Sequence, residues 1–188
     1  MTAPAQAPRA DLLPEKYDYQ GRPELGAAPV AYLPHPGLIA AANAALLLEA
    51  PLLLTGEPGC GKTQFAWAAA RALGQRGGLS AEADLLPLVC SIRSDSRARD
   101  LLYRYDAVRR FSDAQAGGQA GHDRAQDPRR YVDLAPLGLA LVSPRRRVVL
   151  LDEIDKAPRD LPNDLLNELD AGDFEIGELA YVPEDPPQ

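Results

Sequence analysis

The sequence predicts an α/β protein of three layers, with helices on both faces of a mainly parallel sheet, and three observations predict it. Three short apolar runs, residues 52–55, 86–91 and 148–151, have the length and continuous hydrophobicity of buried parallel strands. Each is followed by a segment of helical spacing, and strands alternating with helices imply the crossovers that parallel strands require. The 188 residues, 46% hydrophobic and 25% charged, suffice for one core.

Residues 1–29 are dominated by Ala, Pro, Gln and scattered charge without periodicity, the composition of a disordered arm. The ordered core is expected over residues 30–182, with a tail over 183–188. Residues 30–33 suit a short extended segment, and Pro36-Gly37 opens an apolar helix to about Glu49. Residues 52–55 form the first expected strand. Residues 64–73 (QFAWAAARAL) are strong helix formers, stopped at Gly74. The second strand, 86–91, tolerates Pro87 only near its start. Residues 100–114 set Leu101, Tyr105, Val108 and Phe111 at helical spacing. Residues 116–130, glycine-rich and of mixed charge, predict a mobile loop, and 131–142 resume apolar helical spacing. The third strand, 148–151, precedes a helix over 162–171 with Leu165, Leu166 and Leu169 inward and Gly172 at its end.

The chemistry sits between these elements. Gly56-Glu57-Pro58-Gly59-Cys60-Gly61-Lys62-Thr63 satisfies G-x-x-x-x-G-K-[ST], the Walker A pattern, placed between an apolar run and a helix. Its glycines allow backbone angles at which successive N–H groups converge on phosphate oxygens, near the positive end of the helix that begins around Gln64. Lys62 is expected to reach the β and γ phosphates, and the Thr63 hydroxyl to ligate magnesium. The third strand ends in Asp152-Glu153. Two adjacent carboxylates at the end of a buried strand are costly unless a cation or a polarised water meets them. Asp152 is expected to hold the magnesium through its water shell, and Glu153 to polarise the water that attacks the γ phosphate. An acidic pair rather than a single Asp favours hydrolysis over transfer to a metabolite.

A net charge of −7 argues against a general polyanion binder, so nucleic acid is not an expected partner. Cys60 and Cys90 form no CxxC pattern and suit a reducing compartment. No basic and apolar signal segment and no apolar run near ~20 residues is present, so a cytoplasmic protein without a membrane partner is expected.

At these residues the chain resembles the AAA+ ATPases, and more narrowly their MoxR-like branch. GEPGCGKT and VVLLDEIDKA carry the resemblance, supported by YLPHPGLIAAANAALLL, SDSRARDLLYRYDAVRRF and PRDLPNDLLNELDAGDFEI. The resemblance implies ATP with Mg2+ as cofactors, bound by Gly56 through Gln64. It implies self-association into a ring, usually a hexamer, and hydrolysis that drives remodelling or assembly of partner proteins. It also implies adenine contacts at Tyr32 and Leu33, a restraint on the catalytic glutamate at Ser91, and a basic residue directed at the neighbouring subunit at Lys156. The family's fourth strand with its asparagine, its later arginine and its helical lid have no counterpart before the sequence reaches Tyr181-Val182-Pro183-Glu184-Asp185-Pro186-Pro187-Gln188. A P-loop sheet incomplete at its C-terminal side, and feeble isolated turnover, are therefore expected. The rival expectation is a nucleotide-dependent interaction module with little turnover.

Overall fold

The structure is a computed structural model that describes residues 12–14, 17–23, 29–116 and 118–179. Its contacts divide the chain into two units, residues 1–89 with 145–150, and residues 90–144 with 151–188.

The first unit is organised by α2 (Lys62–Arg76), which begins before and ends beyond the helical run predicted for residues 64–73. Its alanines explain its central place, because Ala68, Ala69 and Ala72 bury a flat face that neighbouring chain can approach closely. Gly74 does not stop the helix; a Cβ there would meet Leu85 Cδ2 at 2.7 Å, so the glycine serves packing, and Gly77 forms the C-cap instead. Arg71, the buried charge of this helix, is matched by Glu82 at 2.9 Å. Helix α1 (Pro36–Leu48) starts where the sequence places it, with Pro36 in its first turn and His35 accepting the Gly37 N–H. Its buried Ile39 and Ala42 join Phe65 and the α2 alanines in one apolar cluster.

Two expectations for this unit meet a different arrangement. Of the stretch read as a disordered arm, residues 1–11, 15–16 and 24–28 lie outside the described residues, while Leu13 and Tyr19 belong to the core cluster and β1 (Gln20–Pro23) pairs antiparallel with β2 (Pro29–Ala31). The physical reason is specific bonding, which composition cannot report. Asn43 of α1 accepts the Leu13 N–H at 2.7 Å and donates to the Leu13 carbonyl at 2.9 Å, replacing a ladder partner. Residues 52–55, the expected first strand, carry no strand, and Leu53 is 70% exposed. An apolar run becomes a strand only when a neighbour takes its N–H and C=O groups.

Strands β3 (Leu88–Ser91) and β6 (Val149–Asp152) pair with each other. Leu88 donates to the Val148 carbonyl and Ile92 to that of Asp152; the step is four residues on both chains, which makes the pair parallel.

In the second unit the helix predicted over residues 100–114 is broken. Helix α3 (Ala98–Leu102) gives way to β4 (Tyr103–Tyr105), and α4 (Ala107–Ala116) follows. The break is set by the pairing of β4 with β5 (Val132–Leu134), and Asp106 restarts the helix by accepting the Arg109 N–H at 2.8 Å. Residues 116–130 are not a loop: α5 (Gly118–Ala125) packs on α4, and a 3₁₀ turn over Pro128–Tyr131 follows. The helix predicted over 131–142 is β5 followed by α6 (Pro136–Val142), because Pro136 suits a first helical position and cannot continue a helix. Helices α6 and α7 (Leu161–Ala171) both contact α3. Leu161 and Leu165 are buried, but Leu166, expected inward, is 46% exposed.

At Gly138 of α6 a Cβ would run into the Leu102 carbonyl. Gly138→Ala is therefore expected to destabilise the protein by about 1–3 kcal/mol, measured as a lower urea midpoint. Among the described residues no helix is long and apolar enough to cross a membrane.

Candidate functional site

The phosphate loop lies wholly in the first unit. Its backbone takes positive φ at Gly56 (147°), Gly59 (82°) and Gly61 (90°), angles that side chains forbid. Gly61 is the N-cap of α2 and makes no side-chain cap, which leaves the N–H groups of the first turn without a side-chain acceptor at the positive end of the helix. Lys62 arches back over the loop, with Nζ donating to the Gly56 carbonyl at 2.7 Å and the Glu57 carbonyl at 2.8 Å. An ammonium has three donors. Among the described residues the third meets Cys60 Sγ at 3.7 Å, a weak acceptor that a phosphate oxygen would outcompete. Backbone amides, helix end and cation thus form a set that fits a multi-oxygen anion.

Glu57, Pro58 and Cys60 are exposed around this set, and Thr63 is half-buried on the first turn of α2. The side chain of Gln64 is engaged elsewhere, its Oε1 accepting the Arg22 N–H of β1. Of the two residues expected near a base, Tyr32 is brought to the loop. Its ring lies 3.1 Å from where a Gly61 Cβ would stand and tilts against Phe65. Burial, and then the nearby Cys60, push its phenol pKa up, so it faces the loop neutral. Leu33 is 94% exposed and lines nothing described.

The acidic pair is built in the second unit. Asp152 ends β6, and its Oδ1 accepts the Glu153 N–H at 3.1 Å. Glu153 has φ 62°, one of two described non-glycine residues in the left-handed region. Such a residue costs on the order of 1 kcal/mol and needs its surroundings to hold it. Its exposed carboxylate pairs with Lys156 at 2.7 Å, and this hydrogen bond raises the Lys156 pKa. Lys156, expected to point toward a neighbouring subunit, is thus a partner of Glu153. Ser91 stands exposed at the end of β3.

Among the described residues no group of three or more His, Cys, Asp or Glu could hold a metal. Magnesium does not need one, since at phosphate sites it is held by one or two protein oxygens together with the phosphates and water. Thr63 in the first unit and Asp152 in the second each carry an oxygen of that chemical kind.

A glycine loop closed by Lys-Thr at a helix start, with a strand ending in Asp152 and Glu153 directly after it, defines a P-loop nucleotide-binding protein. The chain belongs to the AAA domain family, dynein-related subfamily, whose model matches residues 51–187. No curated protein and no solved structure matches the chain. Membership carries the α/β/α P-loop fold, here with a small parallel sheet, and the general character of a nucleotide-binding ATPase family that uses ATP, typically with Mg2+. AAA+ domains usually assemble into rings.

The ribbon of β1 and β2, whose first strand contacts α2, is not among the elements expected from the sequence. Arg22 also lays its guanidinium 5.4 Å from the Trp67 ring centroid, and Tyr17 reaches Gln75 through its hydroxyl. The signal was present in the three aromatic or leucine positions Leu13, Tyr17 and Tyr19, which a solvated arm has no use for.

Proposed function

We propose that the chain is the nucleotide-binding core of a MoxR-like AAA+ ATPase that hydrolyses Mg-ATP and uses the energy to remodel or assemble partner proteins as part of a ring. The observation that carries this reading is the Lys62 ammonium, held by two loop carbonyls over three positive-φ glycines with its remaining donor facing a weak acceptor. In this reading the loop N–H groups orient the β and γ phosphates and Lys62 neutralises them. Magnesium, held by Thr63 and Asp152, would offset charge on the terminal phosphate. Glu153 takes the proton of the attacking water at a carboxylate oxygen, which requires Lys156 to release it first. Tyr32 supplies an apolar edge beside the loop for the base. The MoxR-like branch is supported by the motifs flanking the Walker sequences, and ring formation by the family.

A test that reads the loop directly uses its thiol. Cys60 is exposed, whereas Cys90 is buried with its thiol pushed up to about 11. Iodoacetamide should modify Cys60 and spare Cys90, and Mg-ATP should slow the Cys60 reaction at least about ten-fold by covering the loop. Equal labelling with and without nucleotide, followed by mass spectrometry, would count against the site.

The second reading, a nucleotide-dependent interaction module with little turnover, is favoured by the Glu153–Lys156 pair, which occupies the candidate base. Specific activity that rises with protein concentration supports the assembling ATPase; a flat response supports the module.

A further inference from the structure

Within the first unit a cavity of about 350 Å³ opens beside the C-terminal half of α2. Leu46 of α1, Leu73 of α2, Leu79, Leu86 and Val148 turn half-buried aliphatic side chains toward it. The charged part of its wall is Asp84 and the run Arg145-Arg146-Arg147, which leads into β6. These three arginines are not equivalent. The Arg147 side chain is 15% exposed and fixed, donating to Asp84 Oδ1 at 3.1 Å and to the Ala83 carbonyl at 3.0 Å, so it is part of the wall. Arg145 stands 3.8 Å from the other oxygen of the same carboxylate. Arg146 pairs at 3.0 Å with Glu49, the C-cap of α1, which lies outside the lining; the two side chains are 65% and 76% exposed. An ion pair so open to water holds weakly, and the Arg146 guanidinium can exchange Glu49 for another carboxylate at little cost.

We propose that this cavity binds a small aliphatic carboxylate of medium chain length, its tail against the five apolar side chains and its head group on Arg146. The lining selects that class in three ways. Its apolar side chains are all aliphatic, which suits a hydrocarbon tail. It carries three guanidiniums against the one carboxylate of Asp84, an excess of two positive charges, or one once Glu49 is counted, and a single anionic head group answers the remainder. The planar fork of a guanidinium matches a carboxylate in shape as well as charge. Size then limits the tail, because about 350 Å³ is near the lower end of ligand pockets. The cavity shares α2 with the phosphate loop but no residue of the loop lines it, so the proposal stands apart from the nucleotide reading.

Calorimetric titration of the full chain with butanoate, hexanoate and octanoate tests this, with octanol as the uncharged control. Each added CH₂ should tighten binding by about four-fold while the tail still finds apolar wall, and octanol should bind more weakly than octanoate. Arg146→Glu, a change at an exposed side chain, should weaken octanoate at least about ten-fold through loss of a charge-assisted hydrogen bond and leave octanol unchanged. Leu79→Trp should fill the cavity and weaken octanoate and octanol together. Both variants should keep the circular dichroism of wild type. No octanoate binding to wild type, octanoate binding that both variants retain, or octanol binding as tightly as octanoate would each overturn the proposal. So would a short peptide ending in leucine that binds more tightly than octanoate and loses binding in both variants, since the occupant would then be a polypeptide terminus.

Discussion

Lys62→Ala should weaken Mg-ATP binding by roughly 100-fold or more, taking a charge-assisted hydrogen bond at ~3 kcal/mol. The structure adds a second source of loss. The same ammonium bridges the Gly56 and Glu57 carbonyls, so its removal also frees the loop backbone that those two bonds hold. Isothermal titration calorimetry reads the effect directly, and a variant that binds like wild type would end the assignment of the loop. The variant should fold, since Lys62 makes its described bonds within the loop and none to the apolar cluster.

Glu153→Gln should leave Mg-ATP affinity within a few-fold of wild type and lower turnover by about 10²- to 10⁴-fold, the range for loss of a general base. Steady-state phosphate release measures the second, calorimetry the first. The amide keeps the volume of the acid and the backbone at φ 62°, so a loss of turnover reports chemistry rather than geometry. It also removes the anion that holds Lys156. If turnover persists, the proton acceptor is another group and Glu153 serves as an anchor for that lysine.

The loop was legible in the sequence because its chemistry is local: three glycines, a lysine and a threonine at fixed spacing leave few other shapes, and the observed angles follow. Helix α1 was legible for the same reason, its proline and cap being adjacent. What depended on distant partners was not. Residues 52–55 look like a strand by hydrophobicity, yet pairing decides strands, and none forms there. Residues 103–105 sit inside a run of helical period and become a strand because residues 132–134 offer a ladder. Leu166 keeps the spacing of an inward residue but falls beyond the width of the α7 stripe that the second unit covers, where Leu161 and Leu165 suffice. The packing of Leu13 hangs on one asparagine thirty positions away, a bond no composition window can weigh.

That early stretch has one more consequence. Arg22 grips the residue immediately after Thr63 through a backbone bond and the ring of Trp67 through its guanidinium, so the ribbon works as a tether on α2 at the foot of the glycine loop. A pull on β1 would therefore be felt at the first turn of α2 and at the loop that opens it.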